Sequence, residues 1–162
     1  MHDAKQIIGW REWVEFPEWS LKMRAKADTG ARSSAIDCAE IHELPGNRVR
    51  FTVRLDRKDK RLVTLEEPIK LRKHVRSSTG QGVSRIFIET TLRLAEVEKR
   101  IVVSLVCRKR MIHRMLLGRE ALGTEFLVNS SVDHWATPRR ANSNSHGALD
   151  SAGLPGNIPE IA

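Results

Sequence analysis

The residues best suited to acid–base chemistry in this 162-residue sequence are the run Asp28-Thr29-Gly30-Ala31. Residues 21–27, just before it, alternate strictly between apolar and basic, which is the period of a half-buried strand. Residues 32–36 are small and then apolar, and they predict the start of a second strand. The carboxylate of Asp28 is therefore expected at the tip of a tight turn, where Gly30 lets the backbone bend and approach another group closely.

Hydrolysis by paired carboxylates needs a second aspartate beside Asp28. Two close carboxylates cannot both ionise cheaply, so such a pair divides into one acid and one base. The sequence contains one Asp-Thr-Gly and no second Asp-Thr-Gly or Asp-Ser-Gly, which predicts that a second copy of the chain supplies the partner. The alternative is an ordinary turn, because Asp and Gly are common turn residues and short motifs also occur by chance.

Composition indicates one globular domain with a basic surface. Hydrophobic residues make up 40% of the chain, the formal net charge is +8, and the sequence pI is about 10.1. A basic surface favours anionic partners but does not choose among nucleic acid, ribosomes, acidic peptides and lipid head groups. Cys38 and Cys107 lack metal-type spacing, and the first residues lack the apolar core of a signal peptide. We therefore expect a cytoplasmic protein without a membrane span.

The periodicity along the chain predicts many short strands and one short helix. Residues 48–55 alternate most clearly, with Val49, Phe51, Val53 and Leu55 facing the core and the arginines outside. Other predicted strands are 7–14, 62–65, 69–71, 83–94, 101–107 and 125–128, with 62–65 and 69–71 separated at Pro68. Residues 74–82 predict an exposed hairpin or loop, and 119–123 a short helix closed by Gly123.

The pattern therefore predicts an all-β, barrel-like domain over residues 1–137. From 138 to 162 the sequence is rich in Asn, Ser, Gly, Pro and Ala with little periodicity, which is typical of a disordered C-terminal tail. Neither a Gly-rich phosphate loop with a lysine nor a Cys-x-x-Cys or His-Glu-x-x-His motif occurs.

Four separate stretches, in order, resemble one bacterial family. They are Ile8 to Glu12, Ala25 to Ala35, Val75 to Gly80 and Met115 to Arg119. The family is the retropepsin-like peptidases often labelled "ATP-dependent zinc protease", which are commonly linked to ATP-grasp ligases that add glutamates to a ribosomal protein. The resemblance covers roughly residues 7–133.

This resemblance implies a closed retropepsin-like β-barrel with one short helix, active as a homodimer through catalytic Asp28. Thr29, Gly30 and Ala31 would complete the active-site turn, with Leu116, Leu117 and Gly118 packed behind it. A flap or substrate rim would contain Arg76, Ser77, Ser78 and Gly80. Positive potential for an acidic substrate would come from Lys26, Arg32, Arg85 and Arg119, although each alone is also compatible with a solvated face or a structural ion pair.

The resemblance further implies trimming of glutamate tails from a ribosomal protein, and a functional link to an ATP-grasp ligase. Two positions depart from the family pattern: Asp37 stands where a histidine is frequent, and Ser84 where an acidic residue is frequent. If these positions contact substrate, specificity differs in this member. The six histidines are scattered without ligand spacing, so we expect no metal and no cofactor.

Two other hypotheses belong to different functional classes. One is a non-catalytic basic β-barrel that binds RNA or the ribosome, against which stand the absence of Tyr and the 5% aromatic content. The other is a retropepsin fold that has lost activity and serves as an adaptor. Oligomeric state tests the adaptor hypothesis, because a strict monomer cannot pair two copies of Asp28.

Overall fold

The structure is a computed structural model that describes residues 4–56, 58, 60–76, 80–108 and 111–138. Within these residues the chain forms eleven strands, one 3₁₀ turn (Pro17–Trp19) and one α-helix, α1 (Arg119–Leu122). The strands are β1 (Gln6–Gly9), β2 (Arg11–Phe16), β3 (Leu21–Ala27), β4 (Ser34–Leu44), β5 (Arg48–Arg54), β6 (Leu62–Pro68), β7 (Leu71–Arg76), β8 (Gly82–Leu94), β9 (Val97–Val106), β10 (Met115–Leu117) and β11 (Phe126–Asn129).

Six strands close into a barrel in the order β10-β3-β2-β8-β9-β4, because β10 also pairs with β4. The three-residue strand β10 runs parallel to β3 on one side and antiparallel to β4 on the other. It therefore joins the two strands that flank the Asp28 turn. The all-β prediction with a closed barrel and one short helix is confirmed.

The long strand β4 belongs to the barrel in its first half and to an extension of the sheet in its second half. Residues 34–37 pair with β9, whereas residues from Cys38 onward pair with β5 after a bulge between Cys38 and Glu40. Strand β6 then pairs with β5, and β7 pairs with β8 to form the long β7–β8 hairpin.

Side chains at alternate strand positions fill the core, as the sequence pattern predicts. Strand β3 buries Leu21, Met23 and Ala25 and exposes Lys22 and Arg24. At one end of the barrel three aromatic rings pack together, because Trp19 stacks on Phe16 at 4.8 Å and meets Phe51 edge-on at 5.8 Å between ring centroids. Each such buried ring contributes about 1.5–3 kcal/mol of hydrophobic stabilisation.

Two predicted strand boundaries are wrong. The predicted strand 7–14 is divided at Trp10, because β1 pairs with β11 whereas β2 pairs with β3. The predicted strand 62–65 is too short, since β6 runs on to Pro68, whereas the predicted separation at Pro68 is present because β7 begins only at Leu71. Proline is tolerated there because Pro68 is the last residue of β6, an edge strand that has a partner on one side.

The carboxylate of Glu12 fastens the end of the described chain to the barrel. It accepts hydrogen bonds from the backbone N–H of Gly9 at 2.7 Å and of Ala136 and Thr137 at 2.9 Å each, and also from the Thr137 hydroxyl. Burial by itself raises the pKa of Glu12, but the hydrogen bonds from Thr137, Ala136 and Gly9 outweigh it and hold that pKa below its ordinary value of 4.5.

The predicted tail, 138–162, lies outside the described residues from 139 onward. Among the residues that are described, no helix is both long enough and apolar enough to cross a membrane.

Candidate active site

Asp28 stands directly after β3, and its backbone is held from both sides. Its N–H donates to the carbonyl of Leu117 at 2.8 Å, and the preceding Ala27 N–H donates to the carbonyl of Trp10 at 2.9 Å. The acceptors lie in β10 and at Trp10, between β1 and β2. The position of Asp28 is therefore fixed by the barrel strands and not by the turn alone.

The Asp28 side chain is partly exposed and accepts a hydrogen bond from the Gly30 N–H, which lies 3.1 Å from Oδ1. The Ala31 N–H closes the turn on the Asp28 carbonyl at 3.2 Å. Gly30 is not at positive φ, so the expectation that this glycine is needed for backbone bending is wrong. A Cβ at Gly30 would instead stand 3.4 Å from Asp28 Oδ1, so glycine keeps the space beside the carboxylate open.

Gly118 lets β10 pass close behind the turn. A Cβ at this position would lie 2.5 Å from the Ser33 carbonyl carbon and 2.7 Å from the Arg32 oxygen, both backbone atoms that cannot easily move. The Gly118 N–H donates to Ser34 Oγ at 3.0 Å, and the Ser34 carbonyl accepts from the Ser104 hydroxyl at 3.0 Å. Leu117 is buried and Leu116 half-buried, so this loop packs behind the turn as the resemblance implies.

The helix α1 braces the same turn from its outer side. The N–H groups of Arg119 and Glu120 donate to the carbonyls of Ala31 and Arg32 at 2.9 and 3.0 Å. The Arg119 guanidinium also donates to the Thr29 carbonyl at 3.1 Å. Asp28, Thr29 and Ala31 thus bond to β10 or α1 through their backbones, and Gly30 bonds to Asp28. The Thr29 side chain is exposed.

The four predicted substrate cations lie in different settings. Arg32 pairs with Glu120 at 2.7 Å while its side chain stays 74% exposed, and Arg119 braces the turn. Lys26 is half-buried on β3. Arg85, on β8, lies near Arg108, and its burial first and that neighbouring charge second lower the pKa of Arg85. The structure brings Lys26, Arg32 and Arg119 to the Asp28 turn, and it places Arg85 opposite Lys73 in the middle of the β7–β8 hairpin.

The predicted flap corresponds to the tip of the β7–β8 hairpin. Arg76 pairs with Gly82 and His74 pairs with Ser84, so the chain reverses between them. Gly80 is exposed and adopts φ +82°, a conformation that glycine adopts readily. Ser77 and Ser78 lie outside the described residues. Ser84 is an exposed position on β8 near this hairpin tip.

Asp37 lies in the interior and contacts two arginines. It is 0% exposed, and its carboxylate pairs with Arg54 at 3.1 Å and with Arg114 at 2.6 Å while accepting the Arg108 N–H at 2.9 Å. The prediction that the arginines of β5 face outward is therefore wrong for Arg54, which is 3% exposed. Asp37 and Arg54 stand opposite each other beside the β4 bulge, so the ion pair is buried at positions that simple alternation assigns to the outer face.

Sequence reasoning did not assign roles to two buried polar residues: Ser34, which supports the site, and Glu12, which holds the end of the described chain. Ser34 lies within the Arg32-Ser33-Ser34 run, but its bond to Gly118 spans 84 residues and has no local signal. Glu12 did have a local signal, because it occupies an inward-facing position of β2, as Val14 and Phe16 do. A charged residue at such a position indicates a buried, hydrogen-bonded carboxylate.

A metal centre has no candidate within the described ranges, because no group of three or more His, Cys, Asp or Glu side chains converges there. Trp10 meets His113 edge-on at 5.8 Å, and His134 is buried beside Trp13. These two histidines therefore have aromatic neighbours.

An aspartate at a strand end, a short strand threaded behind it and a glycine leading into a short helix, all on a closed β-barrel, define a retropepsin-like domain. A family model described as the retropepsin-like aspartic endopeptidase RimB matches residues 7–138. The chain belongs to this RimB-like family, as the resemblance of its motifs predicts.

Several relatives have longer chains. A protein of Desulfotalea psychrophila named probable alpha-L-glutamate ligase is 33% identical over 134 residues, which are 80% of this chain and 29% of that protein. One of Shewanella pealeana with the same name is 32% identical over 81% of this chain and 30% of its own length. A crystal structure of a Legionella pneumophila protein of unknown function shares the fold, with a TM-score of 0.68, 24% identity, and coverage of 80% of this chain and 97% of that one.

Proposed function

We propose that this chain is an aspartic peptidase in which Asp28 of two identical copies forms the catalytic pair, and that it trims glutamate tails from a ribosomal protein. Residues 1–137 form the catalytic domain in this proposal, with 138–162 as a tail. The observation that carries the proposal is the Asp28 turn, in which the Asp28 N–H donates to the Leu117 carbonyl and the partly exposed carboxylate accepts the Gly30 N–H.

A second copy is required because each chain carries one Asp-Thr-Gly. The two-stranded sheet formed by β1 and β11 offers a surface for it. Ile7 and Leu127 are partners in that sheet and are 48% and 51% exposed. Adjacent exposed apolar side chains of this kind are typical of association surfaces.

The proposed chemistry is hydrolysis of a peptide bond by an activated water. Asp28 of one protomer takes a proton from the water as it attacks the carbonyl carbon, while Asp28 of the partner gives a proton to the carbonyl oxygen. The Gly30 N–H holds the carboxylate in place. Collapse of the tetrahedral intermediate breaks the C–N bond: the leaving amine takes a proton from the acid formed in the first step, and one hydroxyl of the intermediate returns a proton to the partner's carboxylate. Among the chain's own residues, this route needs no further catalytic group.

Support for an acidic substrate comes from charge and from the relatives. Lys26, Arg32 and Arg119 surround the turn, and the whole chain has a formal net charge of +8. The relatives carry the name of a glutamate ligase, and this chain spans about 29% of their length. A retropepsin-like region that occurs within such proteins supports a functional link between this peptidase and an ATP-grasp ligase that adds glutamates. The ligase reaction itself is not part of the proposal for this chain.

The test is the intact mass of a ribosomal protein with a glutamate tail, incubated with wild type or with Asp28→Asn, in the presence of a chelator and without ATP. We expect glutamates to be lost with wild type only. Equal loss with both proteins would remove Asp28 as the catalyst. No loss with wild type that is dimeric by light scattering would reject the substrate, and a monomer that binds RNA regardless of Asp28→Asn would favour the RNA-binding barrel.

A further inference from the structure

A concave pocket of about 390 Å³ lies on the outer face of the β2–β3 pair. Its walls come from three separate segments: the β2–β3 pair itself, the β5–β6 connection, and the residues just before β10. The volume falls within the range of roughly 300–1,000 Å³ that is usual for small-ligand sites. This pocket takes no part in the chemistry assigned to Asp28.

The pocket walls carry an excess of positive charge. Five cationic residues line the pocket together with one carboxylate, and they are Arg11, Arg24, Lys58, Lys60, Arg114 and Asp56. Asp56 already accepts the backbone N–H groups of Lys58 and Lys60 at 3.1 Å each. Across the part of the chain that the structure describes, no carboxylate is paired with either lysine's ammonium group.

Two of the arginines in the walls are fixed in place by carboxylates that lie outside the pocket. Arg11 pairs with Asp133 at 2.6 Å. Arg114 pairs with Asp37, which also serves Arg54, so that one negative charge faces two guanidinium groups. Arg114 is further held by the Asp56 carbonyl at 3.0 Å. Arg11 and Arg114 are thus held in place, and the pocket retains positive charge at its lysines.

The pocket lies along β3, the strand that Asp28 directly follows. Arg24 precedes Asp28 by four residues, which corresponds to about 13 Å of extended strand. Arg24 and Lys26 share the outward face of β3, so Lys26 lies between the pocket and the Asp28 turn. An extended peptide of about four residues therefore reaches from the pocket to Asp28.

The composition of the walls favours carboxylates over nucleic acid. Base recognition on single strands depends on exposed aromatic faces. Here Arg11 lies over the Trp10 ring at 4.8 Å, and Lys22 and Arg24 lie over the Trp13 ring at 5.9 and 5.6 Å. The nearby indoles therefore already have cations against them. Ile112, 63% exposed at the pocket, suits the methylene carbons of a glutamate side chain.

We infer that this pocket is a second binding site for an acidic peptide segment, which it holds by its side-chain carboxylates about four residues from the bond presented to Asp28. The inference rests on the proposed function for its substrate class, but the pocket's binding is separable from catalysis. The pocket gives the enzyme a preference for glutamate tails that are long enough to reach both the pocket and the Asp28 turn.

The experiment measures binding of hexaglutamate to the full chain carrying Asp28→Asn, by calorimetry at low ionic strength. A variant with Lys58→Gln and Lys60→Gln is compared with a charge-matched control, Lys5→Gln with Arg48→Gln, whose residues are exposed and lie outside the pocket. We expect about a tenfold loss of affinity in the pocket variant and less than twofold in the control. Circular dichroism verifies that both variants are folded.

Three results would overturn the inference. They are an equal loss in both variants, an absence of hexaglutamate binding, and an RNA oligomer of equal charge that binds more tightly than the peptide and depends on the same lysines. Hydrolysis by the enzyme with intact Asp28 is measured separately. Lysine-dependent binding without any hydrolysis would support the pocket as a binding site and reject the peptidase activity. Hydrolysis without lysine-dependent binding would support the peptidase activity and reject the pocket as a binding site.

Discussion

Asp28 begins the connection between β3 and β4, and Asp37 is the fourth residue of β4, yet their surroundings differ in almost every respect. Asp37 is 0% exposed and contacts two guanidinium groups and a backbone N–H. Asp28 is partly exposed, and its carboxylate accepts a hydrogen bond from the Gly30 N–H. The Asp37 carboxylate is neutralised inside the protein, whereas the Asp28 carboxylate is accessible from outside the turn.

The difference shows that two aspartates near one strand connection can serve different purposes, Asp37 the stability of the fold and Asp28 the proposed chemistry. A buried carboxylate is tolerated only when cations and N–H donors replace its water, and Arg54 and Arg114 do this for Asp37. Such a residue cannot readily take part in proton transfer with a substrate, because its oxygens are occupied and solvent is excluded. Asp28 has the opposite properties, since its backbone is fixed while its carboxylate remains accessible.

The largest expected effect follows from Asp28→Asn. Hydrolysis should fall by at least about 10³-fold, because an amide cannot exchange the proton that general acid–base catalysis requires. The free energy of unfolding should change by less than about 0.5 kcal/mol, since the side chain is partly exposed. Hydrolysis rates and urea denaturation check the two statements. A large loss of stability would show that Asp28 resembles Asp37 more than the geometry indicates.

Asp37→Asn should show the reverse pattern. Removing this charge leaves Arg54 and Arg114 buried without their counter-ion, which costs about 3–5 kcal/mol. Urea denaturation measures the effect, with Asp28→Asn as the matched control. Replacing all three residues by apolar ones, Asp37→Leu with Arg54→Met and Arg114→Met, should recover most of the loss. A stable Asp37→Asn protein would contradict the structural role.

A pair of glycines separates the support of the turn from its chemistry. Gly118→Ala places a Cβ within 2.7 Å of backbone atoms of Arg32 and Ser33, and we expect about 1–3 kcal/mol of destabilisation from overpacking. Gly30→Ala meets only Asp28 Oδ1 at 3.4 Å. It should therefore leave the stability nearly unchanged and lower the hydrolysis rate. Thermal unfolding and rate measurements on both variants test this, and equal stability losses would count against it.

The position of Asp28 directly after a strand can be predicted from the sequence because the evidence for it is local. The alternation over β3, the turn residues and the start of β4 follow one another directly in the chain. The helix that begins at Arg119 is also predicted locally, because Gly123 closes it. The same alternation predicts Val49, Phe51 and Val53 as core residues, and each is 0% exposed.

The Asp37 cluster is not predictable in this way, because its members come from β4, β5 and the segment before β10. Arg54 has the outward parity of Arg48 and Arg50, and its burial depends on the β4 bulge that brings Asp37 opposite it. The contact between Arg114 and Asp37 spans 77 residues. Only the fold brings these charges together, so local periodicity assigns each of them to the surface.

Glu12 sharpens the comparison, since it is a buried carboxylate satisfied by N–H and hydroxyl donors and not by guanidinium groups. Glu12→Gln should destabilise the protein by about 1–3 kcal/mol at neutral pH, because charge-assisted hydrogen bonds to Gly9, Ala136 and Thr137 are weakened. The folded pKa of Glu12 is lowered, so its contribution is fully present above pH 4.5 and disappears as the pH falls through the folded pKa. The difference in unfolding free energy between wild type and Glu12→Gln should shrink accordingly. A difference that is constant between pH 7 and pH 3 would contradict this.

The smallest expected effect on stability concerns Arg32, which pairs with Glu120 beside the Asp28 turn at 2.7 Å. An exposed ion pair contributes about 0–1 kcal/mol, so Arg32→Gln should lower the free energy of unfolding only slightly. Arg50→Gln is the matched control, because Arg50 pairs with Glu66 at 2.6 Å on a distant strand. If Arg32 attracts the acidic substrate, Arg32→Gln should raise KM for a glutamylated substrate with kcat nearly unchanged, whereas Arg50→Gln should leave KM as it is. Equal KM values for the two variants would show that Arg32 has no specific part in attracting the substrate. That attraction would then come from Lys26, Arg119 or the pocket.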